Sequence, residues 1–191
     1  MNLQENDQRR DFLKKSATII AGLSMSGALL SSFHANGRNI RQLTGGTAIT
    51  EDKFRSEVMP RAQLSILASQ LAVDKAMQKN AKEFAGFELE EAIAVVKVLN
   101  DTQTPVPPMS EEGKALIEQL KSSSGNDFDK LYMQAQLSNH EFLRDLAKTY
   151  LGDAKGKTSP GEKETQHLAT LALFAFNEHV ALCKRIYGEV S

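Results

Sequence analysis

Apolar residues recur along this chain at intervals of three and four, the spacing that lines one face of a helix. A first run contains Leu64, Leu67, Ala68 and Leu71, and a second contains Ala85, Leu89, Ala92, Val96 and Leu99. Such spacing lets each helix bury one stripe and leave the rest in water. It predicts a first long helix that begins near Thr50 and a second from about Asn80 to Leu99.

Breaker residues divide the rest of the chain. The segment 101–108 (DTQTPVPP) ends the second helix, and 122–126 (SSSGN) ends a short helix from Ser110 to Leu120. A third long helix is predicted for 127–150. Pro60 is expected either to kink the first helix or to mark its true start. The fourth helix begins with a capping box at Ser159, Pro160 and Glu162 and runs to about Tyr187.

These elements predict an all-α fold with four long helices. The longest connection, which carries the short helix, joins the second long helix to the third. That order is typical of a ferritin-like four-helix bundle with one crossover. Segment 36–49, with three glycines and no apolar period, is predicted to be a flexible linker, and 50–191 the bundle domain.

The first 35 residues have a different pattern and are predicted to be an export signal. They resemble the twin-arginine motif through Arg9, Arg10, Phe12, Leu13 and Lys14. An apolar run follows at 17–30, which is too short to cross a hydrocarbon core about 30 Å thick. The signal predicts the twin-arginine translocation machinery as a partner and the periplasm as the destination, with the protein exported folded. If the signal stays uncleaved, it would act as an anchor.

Charge and cysteine content narrow the function classes. The formal net charge is −1, with 23 basic and 24 acidic residues intermixed, so no basic footprint for nucleic acid is present. The single cysteine, Cys183, allows no internal disulfide and excludes a lipid-modified cysteine after the signal. No membrane span is predicted in the mature domain.

The order of several residues is similar to the exported bacterial family called domain of unknown function 4142. The segments that carry the resemblance lie between residues 54 and 187: Leu71-Ala72 with Ala76, Phe84-Ala85, Phe128-Asp129 with Tyr132 and His140, and His179. The resemblance implies a ferritin-like four-helix fold. The family's name states that its activity is not settled.

This chain departs from the family pattern at two places. Ser65 stands where the family often has Glu, and Glu91-Ala92 stand where it often has Asp-His. A polar site that the family builds from those positions is therefore altered here.

Three side chains are candidates for chemistry: His179, Glu88 and His140. His179 falls within an apolar stripe formed by Leu168, Ala172, Ala175, Leu182 and Ile186. Glu88 lies near the apolar stripe of the second helix, with Glu91 at its boundary. A polar group in such a position must be hydrogen-bonded or must bind something. His140 is ambiguous, because Asn139 lies nearer the stripe of its helix. For the two histidines the competing interpretation is a structural role in the core, and for Glu88 it is a solvated or boundary pair with Glu91.

Glu-x-x-His occurs once, at Glu164–His167, and not on each of two helices, so the di-iron pattern of ferritin-like proteins is absent. A single divalent metal held by Glu88, His140 and His179 is the one cofactor that remains open. No catalytic residue is predicted, since the nucleophile, dinucleotide and phosphate motifs are missing. Cys183 is interpreted as a small buried hydrophobe.

Two main functions follow, and the sequence favours the first. The first is a non-catalytic exported bundle that is stress-related or binds an unknown protein partner. The second is a ferritin-like metal-binding protein with a degenerate Glu/His site. Carboxylate and imidazole tips within about 4–5 Å of one another would favour the metal, and a spread above about 8 Å would remove it. A third possibility is self-assembly through Leu173, Phe174 and Phe176.

Overall fold

The computed structural model of the protein describes Ile40 and residues 45–191. The predicted export signal, with Arg9, Arg10, Phe12, Leu13 and Lys14, lies outside the described residues, as does most of the predicted linker. All regular structure in the described part is helical. The prediction of an all-α helical bundle is therefore confirmed.

Five helices follow one another: α1 (Glu51–Lys75), α2 (Lys79–Asp101), α3 (Glu111–Ser122), α4 (Gly125–Asp153) and α5 (Pro160–Glu189). Four are long, and the short α3 lies in the connection between α2 and α4, as the breakers predict. Thr50 and Ser110 cap α1 and α3 through side-chain oxygens that accept from the backbone N–H three residues on. Pro60 lies inside α1 and does not mark its start.

Two buried apolar clusters show how the long helices run. Phe54 of α1, Leu99 of α2 and Tyr150 of α4 belong to one cluster, with Ala169 near the start of α5. The end of α1, the start of α2, the start of α4 and the end of α5 meet in the other. Therefore α1 and α5 run in one direction and α2 and α4 in the other. The connection that holds α3 returns the chain along the bundle.

A chain of hydrogen bonds joins α1 to α4, and we call it the polar ladder (Arg61, Ser65, Ser69, Tyr132, Gln136, Asn139). It is buried except at its part-buried end, where the Arg61 guanidinium donates to Asn139 Oδ1 at 3.2 Å. The Asn139 amide donates to Ser65 Oγ (3.1 Å), and the Ser65 hydroxyl donates to Gln136 Oε1 (3.2 Å). The Gln136 amide donates to Ser69 Oγ (3.2 Å), which is 2.9 Å from the Tyr132 hydroxyl. Each donor meets an acceptor, so the ladder fixes how α1 and α4 align.

Buried carboxylates tie the bundle together at both ends. Asp129 of α4 accepts backbone N–H groups of Met77 and Gln78, which form the turn between α1 and α2. Glu162 of α5 accepts from the Tyr150 hydroxyl at 2.9 Å. Because this carboxylate points into the core, it does not complete a capping box. Ser159 stands at the N-cap without a side-chain hydrogen bond, so that prediction is wrong.

The buried face of α5 is rotated from the predicted stripe. Leu168, Ala172 and Leu182 are half-buried, whereas Ala169, Phe176 and Cys183 lie in the core. Two polar residues near the start of α5 lie on this buried face and form hydrogen bonds with other helices. The Glu162 carboxylate accepts from the Tyr150 hydroxyl, and the Thr165 hydroxyl accepts from Arg55. His179 belongs to both stripes and is buried as predicted.

The outer surface of α5 exposes Leu171 and Phe174, each at 73%. Of the residues considered for self-assembly, Phe176 is instead buried in the core. Among the described helices, none has a stretch apolar and long enough to cross a bilayer. At the edge of the predicted linker, Ile40 and Ile49 are buried against the core, and Ile49 N–H donates to Asp153.

Candidate metal centre

Three side chains from three helices meet in the middle of the bundle. Glu88 comes from α2, His140 from α4 and His179 from α5. The Oε2 atom of Glu88 lies 3.1 Å from His140 Nε2 and 3.1 Å from His179 Nδ1. The two ring nitrogens are themselves 3.1 Å apart. The three atoms form a nearly equilateral triangle, and we call the three residues the Glu–His–His triad.

The triad is enclosed by apolar rings. Its three residues are at most 7% exposed. Phe84 of α2 meets both imidazoles edge-on, with centroids 6.2 Å from His140 and 5.2 Å from His179. Phe176 of α5 lies 5.9 Å from the His140 ring. Water has little access, so electrostatic interactions within the triad are stronger than on the surface.

Each imidazole has an acceptor at its outer nitrogen. His140 Nδ1 is 2.8 Å from the backbone carbonyl of Gln136, one helical turn earlier. A carbonyl can only accept, so Nδ1 carries the hydrogen. His179 Nε2 faces the Glu91 carboxylate at 3.4 Å, which favours a hydrogen on Nε2. In neutral rings the two inner nitrogens, His140 Nε2 and His179 Nδ1, then carry lone pairs and no hydrogen.

The two rings do not satisfy the Glu88 oxygen. Glu88 Oε2 is buried and has no hydrogen bond of acceptable direction, although two ring nitrogens lie 3.1 Å from it. Distance alone would allow such bonds, but the rings do not aim their N–H groups at the oxygen. A buried carboxylate oxygen without a donor is costly, so this arrangement calls for a positive charge between the three atoms.

The electrostatics favour positive charge at the same point. Burial raises the pKa of Glu88, but the two histidines outweigh it and hold that pKa well below its ordinary value. Burial likewise lowers the pKa of His140, but the Glu88 carboxylate raises it to a net value well above normal. A buried anion beside imidazoles attracts cations, whether protons or metal ions.

The structure brings together all three residues that the sequence singled out for a metal. One ligand atom from each lies within 4.8 Å of the others, inside the range of 4–5 Å that favours a metal. Within residues 45–191 and Ile40, this is the one group of three or more such side chains that could share an ion. Glu91, at the predicted boundary, supports His179 from outside the triangle.

The sequence did not point to two contributors. The Gln136 carbonyl is a backbone group, and every residue has one, so no sequence signal exists for it. Phe84 was noted for the family resemblance and not for the site. The sequence left open whether Asn139 or His140 faces the core, and in the structure both are buried. Asn139 faces α1 in the polar ladder, and His140 faces α2 and α5.

Comparison with known sequences gives one clear match. Residues 41–185 match the family described as domain of unknown function (DUF4142). This chain belongs to the DUF4142 family. The match covers the whole triad and the polar ladder. No curated protein and no solved structure matches this DUF4142 member.

The two positions at which the sequence analysis expects a departure from the family have places in the structure. Ser65 is a buried rung of the polar ladder, where the Asn139 amide donates to it. Ala92 is a small core residue, and Glu91 beside it faces His179. In this DUF4142 member the metal-capable residues are therefore Glu88, His140 and His179.

Proposed function

We propose that this protein binds one divalent transition-metal ion through Glu88, His140 and His179. The observation that carries the proposal is the triangle of 3.1 Å sides with an unsatisfied carboxylate oxygen at one corner. A tetrahedral site with metal–ligand distances of about 2.1 Å places its ligand atoms about 3.4 Å apart, so only a small spreading is needed.

The ligand types narrow the choice of metal. Two imidazole nitrogens with one carboxylate oxygen suit zinc or ferrous iron. Magnesium and calcium prefer sites made of oxygen alone, and the triad offers too few oxygens. The buried, Phe-lined setting also disfavours ions that keep several waters.

The chain's own groups have separate roles in this proposal. Glu88 supplies the negative charge that offsets part of the charge of the ion. The Gln136 carbonyl and the Glu91 carboxylate hold the outer N–H groups of the rings and so keep the inner lone pairs turned inward. Phe84 shields the rings from water. Binding releases the protons that the triad otherwise holds.

This proposal reverses the order of preference drawn from the sequence. A non-catalytic, partner-binding bundle was favoured there because the di-iron pattern, with Glu-x-x-His on each of two helices, is missing. The spread of ligand atoms now supports the metal alternative. The finer description as ferritin-like belongs to the same proposal, and the crossover between α2 and α4 supports it.

The test counts metals in the full chain, expressed with its export signal and purified without chelator. We expect near-stoichiometric zinc or iron by mass spectrometry. Glu88→Gln should reduce the metal to background because it removes the charge while keeping the shape. The matched control is Glu162→Gln, the same change at a buried carboxylate outside the triad.

A second pair of variants tests whether metal binding depends on the triad or on any histidine in the chain. His179→Ala should lose the metal, whereas His167→Ala, on the exposed surface of the same helix, should keep it. Background metal in the wild type would overturn the proposal. The partner-binding interpretation would then be the better one.

We also propose that the protein works outside the cytoplasm, delivered folded by the twin-arginine machinery. The motif at residues 8–14 supports this, and a pathway for folded proteins would carry a metal already bound in the cytoplasm. Replacing Arg9 and Arg10 together by lysine should keep the protein in the cytoplasmic fraction. Unchanged periplasmic recovery of that variant would contradict the proposal.

A further inference from the structure

The triad has a neighbour that reaches the solvent, Glu91. The Glu91 carboxylate lies 3.4 Å from His179 Nε2, and 31% of its side chain is exposed. The side chains of His179, Glu88 and His140 are only 8%, 4% and 2% exposed. The outer nitrogen of His140 faces the buried carbonyl of Gln136 instead. Of these two outer contacts, the one at Glu91 is therefore the one that water can reach.

The position of Glu91 follows from its spacing along α2. Glu88 and Glu91 are three residues apart, so they are neighbours on one side of the helix. The His179 ring contacts both carboxylates, with Nδ1 3.1 Å from Glu88 and Nε2 3.4 Å from Glu91. One imidazole thus stands between a buried carboxylate and a half-exposed one.

We propose that Glu91 is the entry ligand of the site, the first protein group to bind an incoming divalent metal ion. The ion then passes the His179 ring and reaches the triad. The inference rests on the proposed function and adds the route by which the ion arrives. In the first step a carboxylate oxygen replaces a water on the ion, and in the second the triad replaces Glu91 and its protons leave to solvent. No electrons are transferred.

The wall around the triad explains why an entry ligand is needed. Phe84 and Phe176 stand against the imidazoles and offer no ligand atom. A divalent ion that gives up water in such surroundings does so at a high cost unless a charged group replaces the water. Glu91 supplies that group at the boundary. Because His179 is the least buried member of the triad, rotation of its ring is the motion that opens the way to Glu88.

The rates of zinc uptake and loss separate entry from support of the His179 ring. An entry ligand lowers the barrier in both directions, whereas a support alone changes how long the ion stays. The full chain is stripped of metal and mixed with zinc in a stopped-flow instrument, at about 0.15 M salt so that charges more than about 8 Å away are screened. A chromogenic zinc chelator reports free zinc in the uptake experiment, and added in excess it measures dissociation.

We expect Glu91→Gln to slow zinc association about 10-fold, because the variant lacks the charge that receives the ion. Its dissociation rate should stay near that of the wild type, since loss of the ring support speeds dissociation while loss of the entry ligand slows it. Glu91→Asp keeps the charge and should associate within about 3-fold of the wild-type rate. Glu90→Gln is the matched control, because Glu90 is exposed and its side chain points about 100° away from that of Glu91.

The outcomes distinguish this inference from the proposed function. Wild-type association in Glu91→Gln, with faster dissociation, would overturn the inference and leave Glu91 as a support of the ring. Equal slowing in Glu90→Gln would overturn it too, because general negative charge would then explain the rates. In both cases the Glu–His–His site stands. Failure of the wild type to bind zinc would overturn the proposed function and the inference with it. Circular dichroism checks that each variant stays helical.

Discussion

The polar ladder and the Glu–His–His triad are two buried polar regions that both include side chains of α4. In the ladder, donors and acceptors alternate from Asn139 to Ser69, so each group finds its complement. In the triad, a carboxylate oxygen and two ring nitrogens face one another at 3.1 Å, and Glu88 Oε2 has no aligned donor.

The difference between them shows how to tell a structural network from a binding site. Burial and polarity are the same in both, so neither property distinguishes them. What differs is the balance of hydrogen-bond donors. A balanced network needs nothing further, whereas an excess of acceptors is stable only with added positive charge.

The largest expected effect is stabilisation by metal. Zinc at 100 times its dissociation constant should raise the free energy of unfolding by about 2.7 kcal/mol, since it binds only the folded chain. Denaturant titrations with and without zinc measure this gain. It should vanish in Glu88→Gln and persist in Ser69→Ala. An equal gain in Glu88→Gln would place the zinc elsewhere.

Breaking the ladder should cost stability and leave metal binding alone. Ser69→Ala leaves the Gln136 amide and the Tyr132 hydroxyl without that partner, at a cost of about 2 kcal/mol. Ser56→Ala is the control, because its exposed hydroxyl donates only to a nearby carbonyl. Loss of metal in Ser69→Ala would show that the two regions are not separate.

A smaller effect is expected from the outer support of His179. Glu91→Gln keeps the size of the side chain but removes the charge that faces Nε2, and should weaken metal binding about 10-fold. Glu90→Gln, one residue earlier and exposed, should leave the affinity unchanged. Competition with a chromogenic chelator measures both. Equal losses of metal affinity in the two variants would mean that the net charge of the protein, and not the contact between Glu91 and His179, sets the affinity.

The smallest expected effect is a pH dependence confined to one region. The lowered pKa of Glu88 stabilises the metal-free protein above the ordinary carboxyl value of about 4.3, and this contribution is lost as pH falls through the lowered pKa. The cost of Glu88→Gln should therefore shrink in acid, by at most about 1.4 kcal/mol per pH unit. The cost of Ser69→Ala should not change over the same acid range, below about pH 4.3. If the costs of the two substitutions changed with pH in parallel, the distinction between the triad and the polar ladder would be contradicted.

Local chemistry in the sequence predicts much of the fold. Turn and cap residues such as Ser110 locate the ends of helices because their preferences act within a few residues. The same local logic failed at Ser159, where the expected partner Glu162 is bound by the distant Tyr150 instead. Pro60 fits inside α1, which the sequence left open.

The site could be predicted only in part. His179 and Glu88 stood out because each is polar within an apolar stripe, and that signal lies within one helix. The distance between the two side chains depends on how α2, α4 and α5 pack against one another. The spacing of apolar residues within each helix carries no information about that packing. His140 was ambiguous for the same reason: α4 is buried on two sides, so a single apolar stripe does not describe it.

The hydrogen bond from His140 to the carbonyl of Gln136 has an evolutionary consequence. Any amino acid at position 136 supplies a carbonyl one turn before residue 140, so mutation at that position cannot delete this partner while the helix persists. The Glu91 support of His179 is a side chain and can be lost by one nucleotide change. As sequences diverge, the orientation of the His140 ring is therefore preserved as long as the helix is. The orientation of the His179 ring is preserved only if selection keeps a suitable side chain at position 91.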